Sequence, residues 1–228
     1  MPTARSALAA GVINGKLFAV GGYNGDGYLG TLEVYKPATD TWAVKASMPT
    51  PRNGVAAGVV NGILYAVGGL NQSSGGKKVE AYDPSTNTWT TKAHMPTSRT
   101  YLAVGVVNGI LYAVGGYFGS FLNTVEAYDP TTNSWTTKAS MPTPRSDLAV
   151  SVLGGRLYAV GGSNGGSPLN TVEAYDPTTN TWTIEPNLPT GRWGLATRVA
   201  GRLLYAVGGD AGEGFGGPVN TNEAFNPR

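Results

Sequence analysis

The sequence predicts an all-β chain, a five-bladed β-propeller whose last blade lacks its outer strand. Three observations predict it. A double glycine after an apolar run recurs at Gly21-Gly22, Gly68-Gly69, Gly115-Gly116, Gly161-Gly162 and Gly208-Gly209, at spacings of 47, 47, 46 and 47 residues. Each unit holds short segments of strand character bounded by turn residues, and no unit carries a helical period. Four short strands repeated at this length describe a propeller, because a single blade can bury its faces only against its neighbours.

Cutting before each Met/Leu-Pro-Thr gives units 1–47, 48–94, 95–140, 141–187 and 188–228, which exhaust the chain, so one domain is expected with no linker or tail. The third unit shows the elements in order. Tyr101 to Val107 is a Val/Ala/Gly-rich first strand, whose small residues suit the crowded position nearest the ring axis. Asn108-Gly109 follows, then Ile110 to Val114 as strand two. Asn-Gly between apolar runs signals a type I′ hairpin, which needs positive φ at both central residues. Equivalent turns are expected at Asn14-Gly15, Asn61-Gly62, Gly154-Gly155 and Ala200-Gly201. Thr124 to Tyr128 alternates as strand three, Asp129-Pro130 to Asn133 is turn chemistry, and Ser134 to Lys138 is strand four. Tyr65, Tyr112, Tyr158, Tyr205 and the repeated Trp42, Trp89, Trp135 and Trp182 are expected to pack between blades.

Composition excludes several chemistries. With no cysteine and one histidine, the chain cannot build a disulfide scaffold, a cysteine nucleophile, a thiolate metal site or a histidine cluster. His94 occupies the place of Ser47 and Ser140 and is read as an exposed substitution. No apolar run of about 18 residues is present to span a membrane, and Met1 to Gly11 lacks the features of a signal peptide. Net charge is +2, with 13% charged residues. A binding face with no basic stripe disfavours nucleic acid.

The double glycine ending strand two, the Val-Glu-Ala-Tyr-Asp-Pro of strand three and the Thr-Trp of strand four resemble the kelch repeat. The resemblance covers the whole chain in five registered copies. It implies a binding surface on the face where strands two and three, and strands four and one, are joined. Kelch propellers usually have six or seven blades, and this chain has five units. Aligned on the second unit, Arg228 matches Ser85, so the nine residues matching Thr86 to His94 are absent and a three-stranded fifth blade with an unpaired edge is expected. One reading of that edge is a fragment or an engineered repeat protein, and the near-identity of the units fits recent duplication or design. The open edge fits homo-oligomerisation by strand addition.

The repeat supplies its own baseline, in which a residue present in every unit is structural and a departure is a candidate for function. Arg5, Arg52, Arg99, Arg145 and Arg192, with Glu33, Glu80, Glu126, Glu173 and Glu223, repeat strictly and are read as framework. Eight aromatics depart from the framework: Tyr23, Tyr28, Tyr101, Tyr117, Phe118, Phe121, Trp193 and Phe215, all on one face. By resemblance, the residues after the double glycine (Tyr23, Leu70, Tyr117, Ser163, Asp210) and after the arginine (Ser6, Asn53, Thr100, Ser146, Trp193) line the central pocket. Rings with hydroxyls suit peptides or sugars. The reading is a non-catalytic protein- or peptide-binding module without a cofactor. The alternatives are a carbohydrate-binding propeller stacking sugars on Trp193, Tyr23 and Tyr117, and an enzyme pairing Asp147 with Asp210 or Glu213.

Overall fold

The computed structural model describes residues 1–71, 75–212 and 217–226 and forms five antiparallel sheets among them. Blade one contains β1 (Ala9–Ile13), β2 (Lys16–Val20), β3 (Leu32–Lys36) and β4 (Thr41–Lys45). Blade two contains β5 (Ala56–Val60), β6 (Ile63–Val67), β7 (Val79–Asp83) and β8 (Thr88–Thr91). Blade three contains β9 (Ala103–Val107), β10 (Ile110–Val114), β11 (Val125–Asp129) and β12 (Ser134–Lys138). Blade four contains β13 (Ala149–Leu153), β14 (Arg156–Val160), β15 (Val172–Asp176) and β16 (Thr181–Glu185). Blade five has three strands, β17 (Ala196–Ala200), β18 (Leu203–Val207) and β19 (Asn222–Phe225). Every blade is a meander in which neighbouring strands are consecutive in the chain. This is the five-bladed all-β propeller, with a three-stranded last blade.

Local chemistry sets the turns. Asn108 and Gly109 have φ of 50° and 79°, the positive pair a type I′ hairpin needs, and Asn14-Gly15 and Asn61-Gly62 behave alike. The last hairpin corrects the sequence expectation. Ala200 pairs with Leu203, so it ends the strand, and Gly201 rather than Ala200 is the first turn residue, with φ of 62°. Between strands three and four, Asp129 Oδ1 accepts the N–H of Thr131 at 2.8 Å and its hydroxyl at 2.6 Å, an Asx turn. These hydrogen bonds hold the Asp129 carboxyl below the usual carboxylate range.

The inner strands β1, β5, β9, β13 and β17 touch in succession, and four apolar clusters fill the four junctions between them. Small residues on the inner strands permit the approach: a Cβ on Gly105 would lie 2.3 Å from Leu157 Cδ2 of the following blade. Farther out, rings meet across junctions in the pairs Phe18–Tyr82, Tyr65–Tyr128, Tyr112–Tyr175 and Tyr158–Phe225, with centroids 5.8 to 6.2 Å apart. Such pairs add about 0.5–1.5 kcal/mol beyond area burial. At the rim, Trp89, Trp135 and Trp182 donate from Nε1 to Ala46, Ala93 and Ala139 of the preceding blade at 2.7 to 2.9 Å. Tyr205 departs from the expectation of a ring between blades, because blade five has no following blade among the described residues. Val207 beside it is 47% exposed, whereas its counterparts Val20, Val67, Val114 and Val160 are fully buried.

Candidate functional site

The repeated arginines and glutamates build the scaffold of one face. In each unit the arginine pairs with the glutamate of its own blade: Arg5–Glu33 at 2.7 Å, Arg52–Glu80 at 2.9 Å, Arg145–Glu173 at 2.7 Å, Arg192–Glu223 at 2.5 Å, and Arg99–Glu126. All five guanidinium side chains are sealed from solvent. Nη1 of Arg5 also donates to the carbonyls of Gly21 and Thr31 at 3.0 and 2.8 Å, tying the double glycine to the start of strand three. The glutamate closes the set by accepting the hydroxyl of Thr3 at 2.7 Å. Burial pushes the guanidinium pKa of Arg52, Arg99 and Arg145 down, against the pull of their glutamates. These arginines are spent internally and offer no anion site.

That cassette places two consecutive residues after each arginine. The first makes a two-way backbone bridge with the residue after the double glycine: Ser6 with Tyr23, Asn53 with Leu70, Thr100 with Tyr117, Ser146 with Ser163 and Trp193 with Asp210. The ten residues expected from the resemblance therefore form five bridged pairs, one per blade. The second residue is Ala7, Gly54, Tyr101, Asp147 or Gly194, and in all five units it is left-handed, with φ between 50° and 63°. These second residues are linked in a relay. The N–H groups of Gly54, Tyr101, Asp147 and Gly194 each donate at 2.9 Å to the carbonyl of the preceding blade's counterpart.

The relay surrounds a cavity of about 390 Å³, lined by Ala7, Gly54, Tyr101, Asp147, Trp193 and Gly194 above an apolar floor that includes Leu102, Leu148 and Leu195. Of the ten expected residues, Trp193 lines this cavity, 39% exposed. Thr100 and Ser146 are buried, and their hydroxyls turn to the Gly54 carbonyl at 3.3 Å and to Asp147 Oδ2 at 2.6 Å. Tyr23 and Tyr117 stand exposed on the surrounding rim, each backed by a second ring, Tyr28 at 5.7 Å and Phe121 at 5.2 Å. Asp210 Oδ1 caps its own loop by accepting the Gly212 N–H at 2.7 Å. Glu213 and Phe215 lie outside the described residues. His94 is exposed, as expected.

Trp193 apart, the cavity lining falls one residue after the position that the resemblance implies in the loops following the arginines. The available signal was the position two after the arginine, where glycine in two units betrays a left-handed backbone that Ala7, Tyr101 and Asp147 also adopt. Tyr101 lays its ring over Gly54, where a Cβ would sit 3.2 Å from its Cδ1 and Cε1. Burial, and then the Asp147 charge and Tyr28, raise the Tyr101 hydroxyl pKa. Burial raises the Asp147 carboxyl too, opposed by the Ser146 hydrogen bond.

Comparison with known proteins accords with this architecture. Residues 1–140 match the KLHDC2/KLHL20/DRC7 Kelch-repeats domain, and residues 144–189 match the Kelch motif. The chain belongs to the kelch-repeat family. Kelch-repeat domains are in general non-catalytic modules of protein–protein interaction. One stretch of 48 residues, 21% of the chain, is 50% identical to the human influenza virus NS1A-binding protein and equally to its mouse homolog. The match spans 8% of the length of each. Among solved structures, that of YjhT superposes with a TM-score of 0.81 at 21% identity, covering 94% of this chain and 74% of that one. It shows a shared fold. Among the described residues, no helix is long and apolar enough to cross a membrane.

Proposed function

We propose that this kelch propeller is a non-catalytic binding module that receives a peptide segment of a partner protein on the face around its axis. The observation that carries the reading is the convergence there of the residues by which the units differ. Tyr101, Asp147 and Trp193 share one cavity, while the repeated residues beneath them are bound to one another. Side chains held at left-handed positions cost about 1–2 kcal/mol each where glycine would not, and such strain clusters at ligand sites. An enzymatic pair of carboxylates finds less support: among the described residues lining the cavity, Asp147 is the one acid.

A second reading rests on the exposed rings of Tyr23, Tyr117 and Trp193, which are suited to stacking on sugars. Peptide and glycan arrays probed with the wild-type chain and with Trp193→Ala separate the two. The expected result is peptide binding that Trp193→Ala weakens. Selective glycan binding would favour the second reading, and binding unchanged by the substitution would remove both.

A further inference from the structure

We infer that the axial cavity is built for a guanidinium, so that the partner peptide inserts an arginine side chain beside Asp147; this rests on the reading that the face binds a peptide. Asp147 is the one charged side chain among the described residues that line the cavity, and no lysine or arginine pairs with it. Ser146 occupies Oδ2, and Oδ1 has no protein hydrogen-bond partner among the described residues. A half-buried carboxylate without a counter-charge is costly, and an arriving cation offsets that cost. Burial raises the Asp147 carboxyl, and no protein cation among the described residues offsets that burial.

Asp147 and Gly194 line the same cavity. At Gly194, the next member of the relay, an added Cβ would meet nothing within 4 Å. At Gly54, by contrast, Tyr101 of the following blade covers the glycine. Tyr101 and Trp193 give the cavity two aromatic walls, and their faces attract a flat, weakly hydrated cation. The leucine floor suits the methylenes of an arginine stem. A volume of about 390 Å³ lies at the small end of ligand pockets, the scale of one long side chain. Arginine fits better than lysine because its planar fork can stack on a ring while donating to the free Oδ1.

Selection of a phage-displayed library of random seven-residue peptides on the intact chain tests this. Enriched peptides are expected to share one arginine. In fluorescence anisotropy, Arg→Gln in such a peptide is expected to weaken binding tenfold or more, and Arg→Lys by less. Asp147→Asn, with folding checked by thermal melting, is expected to cost the Arg peptide a similar factor and the Gln peptide little. Tyr101→Leu, which leaves the carboxylate in place, is expected to weaken the Arg peptide more than the Gln peptide. Peptides that lose binding to Trp193→Ala but share no arginine, or that bind Asp147→Asn undiminished, would overturn the guanidinium inference and leave the face reading intact. If no peptide is enriched, or if Trp193→Ala changes nothing, the face reading fails and takes the inference with it.

Discussion

Asp147 places a stability cost in the axial cavity. Its carboxyl is raised by burial, so the folded chain holds that proton more tightly than the unfolded chain does. Its contribution to stability therefore falls as pH rises from the ordinary aspartate pKa, about 3.9, through the raised folded value. Asp147→Asn is expected to stabilise the chain more at pH 7 than at pH 4 in urea denaturation; an equal change at both would show that the charge carries no cost. Ala7, at φ of 50°, tests the left-handed backbone without touching the charge. Ala7→Gly relieves about 1–2 kcal/mol of strain and adds about 0.5–1 kcal/mol of unfolded-state entropy. A net gain of up to about 1.5 kcal/mol is expected in the same assay. At this scale the departures Tyr101, Asp147 and Trp193 were legible in the sequence, because the repeats around them supply the comparison. Their meeting in one cavity was not. Which of two consecutive loop residues faces the axis depends on a backbone turn that only Gly54 and Gly194 betray.

Among the elements, the arginine cassette does the most to hold the site loops. It joins the double glycine, the start of strand three and the loop after strand four through one buried cation. Removing one partner of a buried pair strands the other, at about 3–5 kcal/mol. Glu126→Ala is expected to cost that much, measured by urea denaturation, because it leaves Arg99 sealed and unpaired. Glu223→Ala is expected to cost less, since the Glu223 side chain is 13% exposed and water can reach its partner's surroundings. Equal losses would mean that burial does not set the cost. The strands themselves were readable from the period and the Asn-Gly turns. The last hairpin slipped by one residue because Gly201 stands where the first three units have asparagine, so Ala200 looked like a turn residue while extending the strand.

The whole molecule is a row of like junctions with an altered last face. Where the inner strands of the first four blades carry Gly11, Gly58, Gly105 and Ser151 toward the next blade, β17 carries Arg198. Where β3, β7, β11 and β15 begin with Leu32, Val79, Val125 and Val172, β19 begins with Asn222. Both changes place polar groups on a face the other blades bury, as terminal repeats do to stay soluble. The 228-residue chain is expected to be a monomer in light scattering, and Arg198→Gly with Asn222→Leu to self-associate. A native dimer would instead point to strand addition along β19, whose outer edge has no partner among the described residues. Hydrogen exchange with and without a selected peptide locates the binding face. Binding on the axial face is expected to give new protection at Thr100–Leu102, Ser146–Leu148 and Trp193–Leu195. Protection confined to the hairpin turns at Asn61-Gly62 and Asn108-Gly109, on the opposite face, would contradict it.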